Sequence, residues 1–131
     1  MYKLAIVDDE YWVRKGLSET IEWETFGVEV VGTAADGEEA LKLIEREAPD
    51  ILITDMRMPG MDGMTATARL REQSNVPVIL ITAKSEDNDK ILGLTVGADD
   101  YITKPFNPLE VLARVKAQLR RYAQLGGMPE K

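Results

Sequence analysis

Five short runs of mainly apolar residues recur along the chain, and a longer segment of mixed polar and apolar residues follows each. The runs are residues 4–7, 28–31, 51–53, 78–81 and 101–102. Continuous rather than alternating apolar residues indicate strands that are buried on both faces, as in a parallel sheet. Strict alternation of such strands with helices predicts one doubly wound α/β domain.

The segments between these runs carry apolar residues at helical spacing, which predicts amphipathic helices. Asp36 is a predicted N-cap of the second helix, and Pro49 ends that helix. The third helix, near residues 64–72, is the weakest prediction because its apolar stripe is thin. The other three stripes are Val13, Leu17 and Ile21; Leu41, Ile44 and Ala48; and Leu112, Val115 and Leu119.

Composition narrows the possible functions. The 131 residues fit a single domain, and 23 acidic against 16 basic residues give a net charge of −7. This charge disfavours direct nucleic-acid binding and suits binding of a divalent cation. Because cysteine and histidine are both absent, disulfides, the usual zinc sites and histidine-based triads are excluded.

The pattern of apolar residues also indicates the cellular location of the protein and the boundaries of its domain. The apolar runs are too short for a membrane span, and no signal peptide precedes the first strand. We therefore expect a cytoplasmic protein with no membrane partner. Helical periodicity is lost after Arg121, which predicts a domain over residues 1–122 and a C-terminal tail or linker start over residues 123–131.

Carboxylates and other polar groups follow the predicted strands. Asp8 and Asp9 follow the first strand, Asp55 the third, Thr82 the fourth and Lys104 the fifth. Ligands of open parallel sheets bind at the carboxyl ends of the strands. Oxygen ligands without histidine or cysteine select a hard cation, and Mg²⁺ is the expected one. The alternative for Asp8 or Asp9 is an ordinary helix cap.

Four segments carry a resemblance to a known family. They are residues 7–10 (VDDE), 55–63 (DMRMPGMDG), 82–84 (TAK) and 97–106 (GADDYITKPF). In this order they resemble the CheY-like receiver domain of two-component response regulators, over about residues 2–122. The resemblance implies a (βα)₅ flavodoxin-like fold with strand order 2-1-3-4-5. It also implies a phosphoacceptor for a sensor histidine kinase.

The resemblance further implies a role for each matched residue. The implied magnesium ligands are Asp9 directly, Asp8 through water, the Asp55 carboxylate and the backbone carbonyl of Arg57. The other implied roles are phosphoacceptor for Asp55, switch hydroxyl for Thr82, switch aromatic for Tyr101 and phosphoryl ion-pair partner for Lys104, before a cis Pro105. Such a domain catalyses only its own phosphorylation and slow dephosphorylation, so it is not an enzyme in the usual sense.

Two departures from the family pattern add hypotheses. Arg57 stands two residues after the acceptor and Lys84 two after the switch threonine. Both are long cations that would shield the phosphoryl group from water, which predicts slow self-dephosphorylation; the alternative is that both point to solvent. Residues 1–65 resemble receivers coupled to AraC-type domains, whereas residues 69–122 resemble the winged-helix OmpR/PhoB-like group. A recombined or engineered chain and ordinary divergence both explain this difference.

The resemblance to the winged-helix group implies a homodimer on phosphorylation, through the fourth helix, fifth strand and fifth helix. Exposed ion pairs contribute little, so the alternative is ordinary solvated charges. The sequence does not favour a third intermolecular pair at Lys116, because Thr95 stands where its acidic partner would be expected. The matching residues are an apolar patch of Ile91, Leu94 and Ala113 and the intermolecular pairs Lys90–Glu110 and Asp100–Arg114.

The resemblance also suggests where a kinase would dock. The suggested surface combines the first helix, near Trp12, Lys15 and Gly16, with the loop at Pro105 and Phe106. The alternative for Trp12 is a partly buried core residue. An output domain outside this chain would make any contact with DNA.

Two other classes of function compete with the signalling switch. A magnesium-dependent small-molecule phosphohydrolase of the haloacid-dehalogenase type needs a second Asp two residues after the nucleophile, and Arg57 stands there. A receiver that only binds partners is disfavoured by the complete set of acids, acceptor, threonine and lysine. The residues identify neither the kinase nor the input signal.

Overall fold

The computed structural model describes residues 1–83 and 97–124. Within them, five strands alternate with four α-helices and one 3₁₀ helix (Trp23–Phe26). The strands are β1 (Tyr2–Val7), β2 (Val28–Ala34), β3 (Ile51–Asp55), β4 (Val78–Ala83) and β5 (Asp100–Lys104). The α-helices are α1 (Tyr11–Glu19), α2 (Gly37–Glu47), α3 (Gly63–Arg71) and α4 (Pro108–Gln124). The predicted fourth helix falls outside the described residues, so α4 corresponds to the fifth helix of the prediction.

The five strands form one parallel sheet in the order β2-β1-β3-β4-β5. This order confirms the predicted flavodoxin-like arrangement. The direction in which successive strands are added to the sheet reverses at β1, because β2 lies on one side of it and β3 to β5 lie on the other. In such a sheet the crevice at the carboxyl ends of the strands beside this reversal is where ligands bind.

Alternate residues of each strand enter two separate apolar layers. In β1, for example, Leu4 and Ile6 belong to one cluster and Ala5 and Val7 to the other. The first cluster also contains Leu17 of α1 with Val111, Leu112, Val115 and Leu119 of α4. The second contains Ala40 and Leu43 of α2 with Leu70 of α3. Burial on both faces explains why the strands read as continuous apolar runs.

The predicted stripe on the second helix is wrong in part. Ala40 and Leu43 are the buried apolar residues of α2, whereas Leu41 and Ile44 are only partly buried. Ala48 is exposed and lies beyond the helix, with a left-handed φ of 47°. A spacing of three or four residues fits two adjacent stripes of a helix equally well, so it does not decide which one faces the sheet.

The third helix forms despite its thin apolar stripe. The Asp62 side chain caps it by accepting a 2.8 Å hydrogen bond from the Thr65 N–H. Ala66 and Leu70 face the core, and the fully buried Thr67 donates its hydroxyl proton to the Gly63 carbonyl at 2.7 Å. Small residues and satisfied hydroxyls thus allow close packing that hydrophobicity alone does not reveal.

The C-terminal helix packs as its pattern predicts, with Leu112, Val115 and Leu119 buried. It continues to Gln124, two residues past the domain boundary expected at 122, and the division into domain and tail stays a prediction. None of the helices in the described ranges is long and apolar enough to cross a membrane.

Candidate functional site

The strand register brings the predicted polar residues to one edge of the sheet. Val7 pairs with Thr54, Asp55 with Ile81, and Ala83 with Lys104. Asp8 and Asp9 therefore emerge from β1 beside the end of β3. One carboxylate oxygen from each of Asp8, Asp9 and Asp55 can be chosen so that all three lie within 4.8 Å of one another.

Lys104 lies next to Asp8 and Asp55. Its Nζ atom is 3.4 Å from Oδ2 of both Asp8 and Asp55, and 3.9 Å from Oε1 of Glu10. Asp8 is fully buried, while 27% of the Lys104 side chain is exposed. The Lys104–Pro105 peptide bond is cis, as the resemblance implied.

Asp8 and Asp9 are not the caps of α1. The N-cap of that helix is Glu10, whose side chain makes no capping hydrogen bond. Asp8 instead accepts a 2.9 Å hydrogen bond from the Glu10 N–H through Oδ1, and Asp9 is exposed at the edge. The alternative of an ordinary cap is therefore wrong, and both carboxylates remain at the cluster.

Burial raises the pKa of both acids that contact Lys104. Burial, and then repulsion from Asp8, raises the pKa of Asp55 from 3.8 to about 6, against the attraction of Lys104. Burial also raises the pKa of Asp8, despite the Glu10 N–H and Lys104. Burial alone would lower the pKa of Lys104, but Asp55 and Asp8 raise it above its ordinary value. One ammonium group among several carboxylates leaves an excess of negative charge.

The backbone around Asp55 leaves no room for side chains at one point. A Cβ atom on Gly63 would lie 2.1 Å from the Asp55 carbonyl oxygen, and the Gly63 N–H donates to the Met56 carbonyl at 3.1 Å. The loop between them holds Arg57, whose side chain is exposed. Sequence reasoning missed the role of Gly63, whose only signal is a glycine directly after the Asp62 cap.

The sequence matches the response regulator receiver domain family over residues 4–116, which is most of the chain. The chain belongs to this family. Regulatory protein VanR of Enterococcus faecium is 44% identical over 129 residues, which cover 98% of this chain and 54% of that protein. The alkaline phosphatase synthesis transcriptional regulatory protein PhoP of Bacillus subtilis is 49% identical over 120 residues, which cover 91% of this chain and 49% of that protein.

Solved structures agree with this assignment. The receiver domain of AraT, a response regulator from Geobacillus stearothermophilus, superposes with a TM-score of 0.86 at 37% identity and covers 95% of this chain and 98% of that one. The receiver domain spans about half the length of the curated relatives it matches. The hypothesis that it joins two lineages stays a prediction.

The two residues predicted to act as a switch lie in β4 and β5. Thr82 is buried and follows Ile81, the residue paired with Asp55, so it lies at the same edge of the sheet. Tyr101 is partly buried and packs against the second apolar cluster, as does Ala98. Both positions suit the implied roles, which stay predictions.

One of the two ion pairs expected between receiver domains, Asp100–Arg114, forms here within one chain. Arg114 Nη1 lies 2.9 Å from both carboxylate oxygens of Asp100, and Nη2 lies 3.3 Å from Oε2 of Glu110. The Asp100 carboxylate raises the pKa of Arg114. Sequence alone gives the complementary charges but not whether one chain or two will bring them together.

Other residues of the expected dimer face divide into two groups. Ala113 is exposed, and Lys116 Nζ lies 5.2 Å from the ring centroid of Phe26. The remaining residues discussed for this face lie outside the described part of the chain; they are Lys90, Ile91, Leu94 and Thr95. Lys84, the cation suggested to shield the phosphoryl group, also lies outside it.

The suggested kinase-docking surface includes an exposed tryptophan. The side chain of Trp12 is 76% exposed, so the alternative of a core residue is wrong. Lys15 Nζ lies 5.7 Å from the Trp12 ring centroid. A shallow hollow beside them joins α1 to the loop before α4 and is lined by Trp12, Val13, Gly16, Leu17, Thr20, Ile21, Phe106 and Pro108.

Proposed function

We propose that this receiver domain is the phosphoacceptor switch of a two-component signalling system and accepts a phosphoryl group from a histidine kinase on Asp55. One observation carries the proposal: the Asp55 carboxylate lies at a cluster of three acids with Lys104 Nζ 3.4 Å from its oxygen. An acceptor next to a fixed cation at an acidic edge suits phosphoryl transfer, which depends mainly on positioning and charge neutralisation.

The acidic cluster fits a divalent cation of the hard type. Its donors are carboxylate oxygens of Asp8, Asp9 and Asp55, and the chain has neither histidine nor cysteine. Burial raises the pKa of Asp8, and burial followed by repulsion from Asp8 raises the pKa of Asp55, so a bound cation would relieve an unfavourable arrangement of charge. These features favour Mg²⁺. We propose Asp9 and Asp55 as direct ligands, with Asp8 acting through water and the Arg57 carbonyl as a further ligand. When bound, Mg²⁺ would neutralise charge on the phosphoryl oxygens.

The residues of the chain divide the chemistry among them. A carboxylate oxygen of Asp55 attacks phosphorus, an acyl phosphate bond forms, and the bond from phosphorus to the kinase histidine nitrogen breaks. Lys104 pairs with a phosphoryl oxygen. In the metal-free protein the pKa of Asp55 is about 6, so this carboxyl is already largely ionised at neutral pH, as a nucleophile must be.

The charge of the phosphoryl group on Asp55 would also produce the signalling output. The Thr82 hydroxyl would hydrogen-bond the phosphoryl group, Tyr101 would turn into the space it leaves, and the face formed by the predicted fourth helix, β5 and α4 would dimerise. The PhoP relative is a transcriptional regulator about twice as long, so we place a DNA-binding output domain outside this chain. Residues 1–122 form the receiver in this proposal, 123–131 the tail or linker start, and the location is cytoplasmic.

The competing phosphohydrolase gains no support. Its general acid should stand at the position of Arg57, which is an exposed cation. Slow hydrolysis of the acyl phosphate, shielded by Arg57 and Lys84, remains part of the proposal for the switch.

Acetyl phosphate with Mg²⁺ tests this function by intact-protein mass spectrometry. We expect one added phosphoryl group, formed as acetate leaves, and none in Asp55→Asn. Asp36→Asn is the matched control, since Asn can replace the Asp36 cap of α2 that accepts the Glu39 N–H at 2.9 Å. Modification of Asp55→Asn at the wild-type level would refute the assignment.

A further inference from the structure

Arg14 lies in the first turns of α1 and directs its guanidinium back toward the acidic edge. Nη1 donates a 2.6 Å hydrogen bond to the backbone carbonyl oxygen of Asp8. Arg14 is half-buried, and its guanidinium carbon lies 5.7 Å from the ring centroid of Tyr11. These contacts hold a long cationic side chain against the turn that connects β1 to α1.

The residues on either side of this contact are already fixed by other hydrogen bonds. The Asp8 N–H donates to the Ala34 carbonyl at 3.1 Å, and Asp8 Oδ1 accepts the Glu10 N–H at 2.9 Å. The peptide between Asp8 and Asp9 is held by Arg14. Because a peptide unit is planar, fixing the Asp8 carbonyl also fixes the Asp9 nitrogen and Cα.

Asp9 depends on this backbone for its direction. It is exposed, and it makes no hydrogen bond or ion pair with any residue in the described ranges. Its carboxylate nevertheless contributes an oxygen to the three-acid cluster. Because no hydrogen bond or ion pair from the described residues holds this carboxylate, its position depends on the peptide that carries it.

We propose that Arg14 is a positioning residue for the divalent-cation site, where its guanidinium fixes the Asp8–Asp9 peptide and presents the Asp9 carboxylate to the ion. The inference rests on the proposed magnesium site. Groups that orient metal ligands without touching the metal typically change metal affinity by about 10- to 100-fold when they are removed.

The direction in which Mg²⁺ affinity changes when Arg14 is replaced distinguishes a positioning role from simple electrostatic repulsion. A cation near the site repels Mg²⁺, so loss of the Arg14 charge alone would tighten binding. Loss of positioning would weaken it. Lys15 provides the matched control, because its Nζ lies 5.8 Å from the same Tyr11 ring and pairs with Glu19 at 4.0 Å, and it makes no hydrogen bond to Asp8 in the described structure.

Magnesium titration of wild type, Arg14→Gln and Lys15→Gln tests the proposal, followed by calorimetry and by the NMR signals of the Asp9 and Glu10 amides. Arg14→Gln should weaken Mg²⁺ binding about tenfold and shift both amide signals in the metal-free protein. Lys15→Gln should leave the two amide signals unchanged, and its Mg²⁺ affinity should equal that of wild type or be slightly higher. Arg14→Lys, which keeps the charge but not the planar donor, should give an intermediate affinity.

Different results would contradict the positioning role of Arg14 and the magnesium site itself. If wild type binds Mg²⁺ and Arg14→Gln binds it equally well or more tightly, Arg14 has no positioning role. If wild type itself binds no Mg²⁺, the proposed magnesium site is wrong and the inference falls with it. Thermal unfolding of the metal-free variants shows whether a weakened affinity reflects a local change or a loss of the fold.

Discussion

Asp55 should destabilise the metal-free protein at neutral pH. Its pKa is raised from 3.8 to about 6, so the folded state binds its proton more tightly than the unfolded state does. The cost is absent below about pH 4, grows between pH 4 and 6, and is complete above pH 6. A rise of about two pKa units at about 1.4 kcal/mol each sets an upper limit of about 3 kcal/mol.

Removal of the Asp55 charge should therefore stabilise the metal-free protein. Without Mg²⁺, Asp55→Asn should be more stable than wild type at pH 7, by about 1–3 kcal/mol, with a smaller difference at pH 4. Urea denaturation at both pH values measures the difference. Added Mg²⁺ should raise the stability of wild type more than that of Asp55→Asn. A variant less stable than wild type at pH 7 would contradict the electrostatic account.

The positions of site residues could be predicted from the sequence where a charged residue directly follows an apolar strand. Asp8, Asp9, Asp55 and Lys104 follow apolar runs, so the sequence places them at one edge of the sheet, and their contacts agree. Arg14 could not be predicted in the same way. Its contact is with a backbone carbonyl, and no residue type in the sequence marks which carbonyl a long side chain will reach.

At the scale of elements, Gly63 determines how close α3 comes to the acceptor. A Cβ there would meet the Asp55 carbonyl oxygen at 2.1 Å and the Thr54 hydroxyl oxygen at 2.9 Å. Gly63→Ala should therefore lower the free energy of unfolding by about 2 kcal/mol or more, because backbone must move. It should also reduce phosphorylation of Asp55 by acetyl phosphate.

Gly16→Ala is the matched control for that prediction. Gly16 lies within α1, and a Cβ there meets nothing within 4 Å. The same substitution should stabilise the protein by about 0.5–1 kcal/mol, because alanine favours the helix. Thermal or urea unfolding of both variants measures the contrast; equal effects would mean that close approach at Gly63 does not matter.

Helix existence could be predicted better than helix facing. The Asp36 cap of α2 is confirmed by its hydrogen bond to the Glu39 N–H, whereas the predicted core stripe included Ala48, which lies beyond the helix. The 3₁₀ helix before β2 was not predicted. It is fixed by the buried Trp23, whose Nε1 donates to the Leu17 carbonyl at 2.8 Å, a tertiary contact that local periodicity does not encode.

At the scale of the whole molecule, the pairing of Arg114 matters for assembly. Arg114 contacts Asp100 and Glu110 within one chain, and its side chain is partly exposed. A dimer through the β5–α4 face would have to share or exchange these contacts with a second copy. Exchange of exposed pairs changes the free energy little, by about 0–1 kcal/mol each, so it would set register more than strength.

The dimer prediction is tested by analytical ultracentrifugation with and without beryllofluoride. The activated protein should dimerise in about the micromolar range and the untreated protein should be mainly monomeric. Arg114→Glu should weaken the dimer. Arg46→Glu, which disrupts the exposed pair with Glu47 on α2 at 3.2 Å, should not. An activated wild type that stays monomeric would show that the winged-helix resemblance does not extend to assembly.

The topology of the whole molecule could be predicted because buried parallel strands leave a simple pattern and the family motifs occur in order. The sequence could not predict whether an ion pair forms within one chain or between two, since Asp100 and Arg114 are complementary in either arrangement.

Locating the phosphoryl group on the chain decides whether Asp55 is the phosphoacceptor. After incubation with a small phosphoramidate donor and Mg²⁺, borohydride reduction converts an aspartyl phosphate to homoserine, which peptide mass spectrometry assigns to one position. We expect a single homoserine at position 55, with none in protein incubated without the donor. Homoserine at position 8 or 9, or no modification of a folded protein that binds Mg²⁺, would contradict it.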